Sequence, residues 1–254
     1  GLTHITAISG QHITIFSALL LPVFFMLGLW KKHAILLVLA FVVLFIVATG
    51  FEASAIRAGI MGTLGMAGTL AGRRSDSIRA LVFAGAAMLL LNPLLLSRDV
   101  GFQLSFLAVL GILWCHPYFR RVFAWLPEIF GIRDAASMTI AAQMLTLPIV
   151  ISNFGSVSVV SPITNILIGP VAPMLMGAGM VFLLAGSALG STWAFLFSLP
   201  LALLLSYFSF VAEAFSRFPF AALAAGPGTF WISAALFAAA GFFVWRIRKE
   251  PVIY

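Results

Sequence analysis

Gly1-Leu-Thr-His-Ile-Thr-Ala-Ile-Ser-Gly-Gln-His12 runs without a break into Ile13-Thr-Ile-Phe-Ser-Ala-Leu-Leu-Leu-Pro-Val-Phe-Phe-Met-Leu-Gly-Leu29. The second stretch is apolar and long enough to cross a hydrocarbon core of ~30 Å, which takes about 20 helical residues and ~17 at the short limit. The first stretch is polar, in a chain that is 63% hydrophobic and only 8% charged. Lipid offers such groups no partner, so two histidines, a Ser-Gly break and a glutamine point to a protein-lined or wet surface at membrane depth.

Composition agrees. A mean hydropathy of +1.16 belongs to an integral membrane protein. The chain lacks an initiator Met and its first residue is already part of a motif, so it reads as an internal fragment; no basic n-region or small-residue cleavage site marks a secretory signal. A single Cys115 excludes an intrachain disulfide and a Cys-x-x-Cys metal site, and reads as a small core residue. The net charge of +7 invites nucleic acid as a partner, but basic residues also collect in cytoplasmic loops of membrane proteins for insertion reasons alone.

Apolar runs near 13–29, 34–50, 55–72, 77–96, 100–118, 135–151, 156–185, 194–216 and 230–246 predict an all-α, polytopic helical bundle of about nine spans. If they alternate, eleven of the fourteen basic residues share one face, and only Arg57, Arg98 and Arg217 fall on the other. The richer face is cytoplasmic, which places the start of the chain outside and its end inside. The run at 156–185 carries Pro162, Pro170 and Pro173 and is expected to be broken, with a re-entrant piece over roughly 156–170. Residues 120–134 mix bulky apolar groups with five charges and read as a cytoplasmic interfacial segment anchored by Trp125.

Several polar groups stand at depth. In Ser9-Gly10-Gln11-His12, glycine permits close approach of another backbone or a solute. His4 and His12 would lie about 80° apart on one unbroken helix at ~100° per residue, unlike the four-residue spacing of a helical zinc pair. Arg57 opens the third span, either pairing with Glu52 or Asp99, lining a wet path, or snorkelling to the interface. Gly59, Gly62, Gly65, Gly68 and Gly72 behind it suggest tight helix packing, with a pore lining as the alternative. Asn92-Pro93 interrupts the fourth span, and Asp99 is placed to cap the fifth, inside which Gln103 and Ser105 project. Gln143 and Asn165 are further polar groups that can bond across helices. No P-loop, no Gly-x-Ser-x-Gly elbow and no carboxylate pair is present, so neither an ATP-driven motor nor a hydrolase is expected, and no metal or other cofactor.

Four ordered motifs then carry a resemblance. Gly1-Leu-x-His-x-x-Ala-Ile-Ser-Gly-x-His12, Ser54-x-x-Arg-Ala-x-x-Met61, Asn92-Pro93 with Gly101-Phe-Gln-Leu-Ser-Phe-x-Ala108, and Pro162-x-x-Asn165 with Pro170 resemble the competence domain of ComEC-type DNA-internalisation proteins. The likeness runs through residues 1–173, and the spans of 174–254 are generic. It implies a bacterial cytoplasmic-membrane protein that passes one strand of DNA inward during natural transformation. It further implies an external DNA receptor and a cytoplasmic ATPase as partners. Family members often add an OB-like domain before this region and a metallo-β-lactamase-like domain after it; neither lies in this chain.

About nine phosphates of a stacked single strand fit a ~30 Å core, so the path must be wet or lined by donors. The residues proposed for path or gate are His4, Ser9, Gly10, Gln11, His12, Arg57, Gln103, Ser105 and Asn165. Glu52, Pro93, Asp99, Pro162 and Pro170 are proposed as structural or pairing groups. Few cations suit conduction, because a strand held by many would not leave. Two other classes remain open: a small-solute secondary transporter with broken helices, and an intramembrane metalloenzyme using His4 and His12.

Overall fold

The computed structural model describes residues 10–72, 76–158, 160–218, 222–224 and 229–249. Its elements are α1 (Gly10–Met26), α2 (Lys31–Ala48), α3 (Ala53–Leu70), α4 (Ser77–Leu91), α5 (Leu95–Arg98), α6 (Val100–Val122), α7 (Ile132–Phe154), β1 (Ser156–Ser158), α8 (Ser161–Ile168), α9 (Val171–Leu189), α10 (Ser191–Ser216), β2 (Ala222–Ala224) and α11 (Thr229–Lys249). A 3-10 turn at Ile129–Gly131 leads into α7. This is a helical membrane bundle, as the apolar runs predict.

Each of the nine runs coincides with a helix or a broken pair, but the figure of nine crossings is not borne out. By length and composition, four described helices are fit to cross a membrane: α2, α6, α7 and Trp193–Ser216 of α10. The pair α8 and α9, bent by 46° at Gly169-Pro170, raises the figure to five if counted as one span. The apolar stretches of α1, α4 and α11 are shorter, and α3 is diluted by its glycines and Arg57. The helices also begin earlier than the apolar runs, because Lys31, Lys32 and Arg133 join their first turns.

Two three-residue strands sit among the helices and leave the all-α class unchanged. β1 pairs with β2 antiparallel, Ser156 opposite Ala224 and Ser158 opposite Ala222. Ser156–Ser158, at the start of the piece expected to be re-entrant, are an extended strand. Gly155 ends α7 with a φ of 61°, a left-handed turn that L side chains resist, and Ser156–Ser158 follow as a strand.

The chain divides into two compact units. One holds α1, α2, α3, most of α4, α9 and α10. Its core is Ile13, Val38, Val42 and Ala55, backed by Phe16 edge-on to Phe41 at 5.5 Å and beside Phe45 at 5.7 Å. The other holds α5, α6, α7, β1, most of α8, β2 and α11 around Cys115, Ala141, Leu145, Ala240 and Val244. In that second unit α6 and α7 meet at Gly111, where a β-carbon would collide with the carbonyl of Ala141.

Candidate functional site

The first unit brings two of the polar motifs together. Among the described residues α1 runs from Gly10 to Met26. Gly10 is buried against α3. A β-carbon there would stand 2.9 Å from Ala58 Cβ, 3.0 Å from Arg57 Nη2 and 3.7 Å from the Ser54 carbonyl. The approach is possible because α3 presents Ala55 and Ala58 where larger residues would hold the helices apart. Arg57 is only 8% exposed. Its guanidinium is turned toward Gly10 of α1. His12 and Ser54 are half-buried.

Other candidates have structural partners. Among the described residues neither Glu52 nor Asp99 forms an ion pair. Glu52 is exposed and makes no capping bond, whereas Asp99 caps α6, accepting from the Phe102 N–H at 2.8 Å. Asn92-Pro93 ends α4 in a turn in which Asn92 Oδ1 accepts from the Leu94 N–H at 3.1 Å. Gln103 donates its side-chain amide to the Leu96 carbonyl at 2.8 Å, tying α6 back to α5. Ser105 is half-buried in α6. His4 and Ser9, and the side chain of Gln11, lie outside the described residues.

A second polar group forms where α8 meets α7. Gln143 Nε2 donates to Ser161 Oγ at 2.9 Å, and Asn165 Nδ2 reaches the same oxygen at 3.4 Å. Asn165 Oδ1 is buried without a hydrogen-bond partner among the described residues. Pro162 sits in the first turn of α8, where its missing N–H costs nothing, and Pro170 separates α8 from α9.

Sequence reasoning missed the ion-pair cluster that organises residues 120–134. Arg120 Nε donates to Asp134 at 2.8 Å and its Nη2 lies 3.4 Å from Glu128, while His116 Nε2 lies 3.5 Å from Asp134. Arg133 donates to Glu128 at 2.7 Å and to the carbonyls of Ala124 and Leu126, each at 2.8 Å. The signal was present as opposite charges flanking the turn between two long helices. Trp125 is 76% exposed on this loop, as an interfacial anchor requires.

The glycine run also differs from the expectation of tight packing along its length. At Gly59 a β-carbon would stand 2.6 Å from Ile46 Cδ1 of α2, but at Gly65 it would meet nothing within 4 Å, and Gly72 lies in the turn after α3 with a φ of 67°. No group of three His, Cys, Asp or Glu side chains suited to a metal occurs among the described residues.

Residues 1–250 match the family described as Competence protein. Over 170 residues the chain is 32% identical to ComE operon protein 3 of Bacillus subtilis (strain 168), an alignment covering 67% of this chain and 21% of that protein. The chain thus spans about a fifth of that relative's length. No solved structure matches it.

Proposed function

The chain belongs to the competence protein family, and from that premise we propose that it lines a path for single-stranded DNA across the bacterial cytoplasmic membrane during natural transformation. The observation that carries this reading is the meeting of Gly10 with Arg57. An arginine withdrawn from water and lipid to 8% exposure has left solvation behind, a placement typical of substrate and ion pathways. Here it stands beside Gly10 of α1, which carries no side chain. The guanidinium supplies the positive charge that would attract the strand, and the absence of a side chain at Gly10 lets it pack against α1, since no methyl group would fit between them.

In this reading the chain binds and guides the strand and performs no covalent chemistry. Its start faces outward and its end the cytoplasm, with the external receptor and cytoplasmic ATPase supplied by other proteins. The OB-like and metallo-β-lactamase-like parts are supplied by the remainder of the full-length protein. The break between α8 and α9 favours one alternative, a small-solute transporter, since such proteins also place substrates at interrupted helices.

The test uses the full-length protein, with transformation frequency and membrane abundance measured together. Arg57→Lys should keep much of the activity, because a point charge still binds phosphate, whereas Arg57→Gln and Arg57→Glu should lose it with protein still in the membrane. Wild-type transformation by Arg57→Glu at normal abundance overturns the proposal.

A further inference from the structure

Gln143 lies at the middle of α7, a 23-residue helix with eleven residues on either side of it. At ~1.5 Å per residue it is about 16 Å from each end. Its hydrogen bond to Ser161 therefore brings the first residue of α8 to the mid-length of α7, only seven residues after Phe154 ends that helix. Between the two, the chain must turn back and run half the length of α7. Gly155 makes the turn, and Ser156–Ser158 follow in extended conformation, covering ~3.3 Å each. β1 is that returning strand.

A strand beside the C-terminal half of a membrane-crossing helix must satisfy its backbone. The described sheet has two strands, so β1 has β2 on one edge and no strand on the other. Lipid cannot serve that edge; non-helical backbone at such depth is tolerated where it lines protein or a water-filled cavity. The side chains at the end of the return point the same way. Ser161 Oγ accepts from Gln143 and is approached by Asn165 Nδ2, which leaves Asn165 Oδ1 as a buried acceptor without a partner among the described residues. A lone carbonyl oxygen repels a phosphate oxygen and accepts an N–H or O–H.

We propose that β1 and the start of α8 form a water-filled re-entrant recess reaching the mid-length of α7, and that Asn165 Oδ1 binds a hydrogen-bond donor there. The donor comes from the amino edge of a passing nucleobase or from water. The nucleobase source rests on the conduction reading above; the recess does not.

Two measurements on the full-length protein, otherwise free of cysteine, test this. In the first, Asn165→Cys and Ser161→Cys are exposed in intact cells to a membrane-impermeant thiosulfonate, with Leu145→Cys in the α6–α7 core as the dry control. Labelling at 161 or 165 but not at 145 is expected; no labelling at either recess position, with an external cysteine at Phe218 labelled, overturns the recess. In the second, Asn165→Leu is compared with wild type for uptake of DNA carrying a cytosine-rich or a thymine-rich tract, each tested in both strands. Cytosine carries an exocyclic amine and thymine does not. A several-fold larger fall for cytosine tracts at unchanged abundance assigns the donor to the exocyclic amine, an equal fall assigns it to water or to any base N–H, and no fall for either overturns binding at Asn165. Because labelling does not require transport, failure of the conduction reading through Arg57 leaves the first measurement intact.

Discussion

Gly10 and Arg57 share one small space: a β-carbon on Gly10 would stand 3.0 Å from the guanidinium Nη2 and 2.9 Å from Ala58 Cβ. Any side chain at position 10 must push α1 from α3 or displace Arg57, at a cost on the order of 1–3 kcal/mol. Gly10→Leu is expected to abolish transformation, and Gly10→Ala to lower it with protein retained in the membrane. Transformation frequency normalised to abundance is the readout. Wild-type frequency in both variants would make Gly10 only a helix start.

The same reasoning orders three other glycines. Gly111→Ala drives a β-carbon into the Ala141 carbonyl, rigid backbone that cannot rotate away, and should lower the thermal midpoint of the detergent-solubilised protein the most. Gly59→Ala meets the flexible tip of Ile46 and should be milder. Gly65→Ala has open space and should be neutral or stabilising, since alanine gains up to ~1 kcal/mol of helix propensity over glycine. The order 111, 59, 65 is the prediction, and thermal unfolding checks it.

How much of this was legible in the chain differs residue by residue. The apolar runs located the helices, because hydrocarbon thickness sets a length that composition alone reveals. Asp99 as a cap and Gln143 as a cross-helix donor were legible from their positions in apolar runs. β1 was not: three residues make no periodic signal, and its partner lies beyond α8, α9 and α10, outside any local pattern. The glycine run misled because spacing on one helix does not say whether another helix is there to pack against it. The meeting of Gly10 with Arg57 depends on α1 and α3 packing side by side, which neither motif encodes alone.

Arg133 fixes the α6–α7 turn by bonds to Ala124, Leu126 and Glu128 that only a planar, multi-donor group can make together. Arg133→Lys should therefore behave like Arg133→Met, not like wild type. Both are expected to make residues 123–131 more susceptible to limited proteolysis in inverted vesicles. The exposed pairs of the same cluster contribute little singly, so Glu128→Gln should have a smaller effect. Equal cleavage of Arg133→Lys and wild type would show that the cluster does not hold the turn.

The proposed topology rests on the distribution of basic residues. In a Cys115→Ala background, Lys32→Cys and Ala124→Cys should react with an impermeant thiol reagent only after cells are opened. Phe51→Cys and Phe218→Cys, both at exposed positions between helices, should react in intact cells. External labelling at position 32 would invert the assignment.

The most direct test of the conduction reading is contact with the strand itself. A photoreactive residue is placed at Ser54, whose carbonyl lies beside Gly10, and separately at the exposed loop residue Trp125, in full-length protein that still transforms. Labelled DNA is stalled during uptake and the cells are irradiated. The account predicts a covalent adduct with single-stranded DNA at position 54 and none at 125. Continued uptake without an adduct at 54 would contradict it.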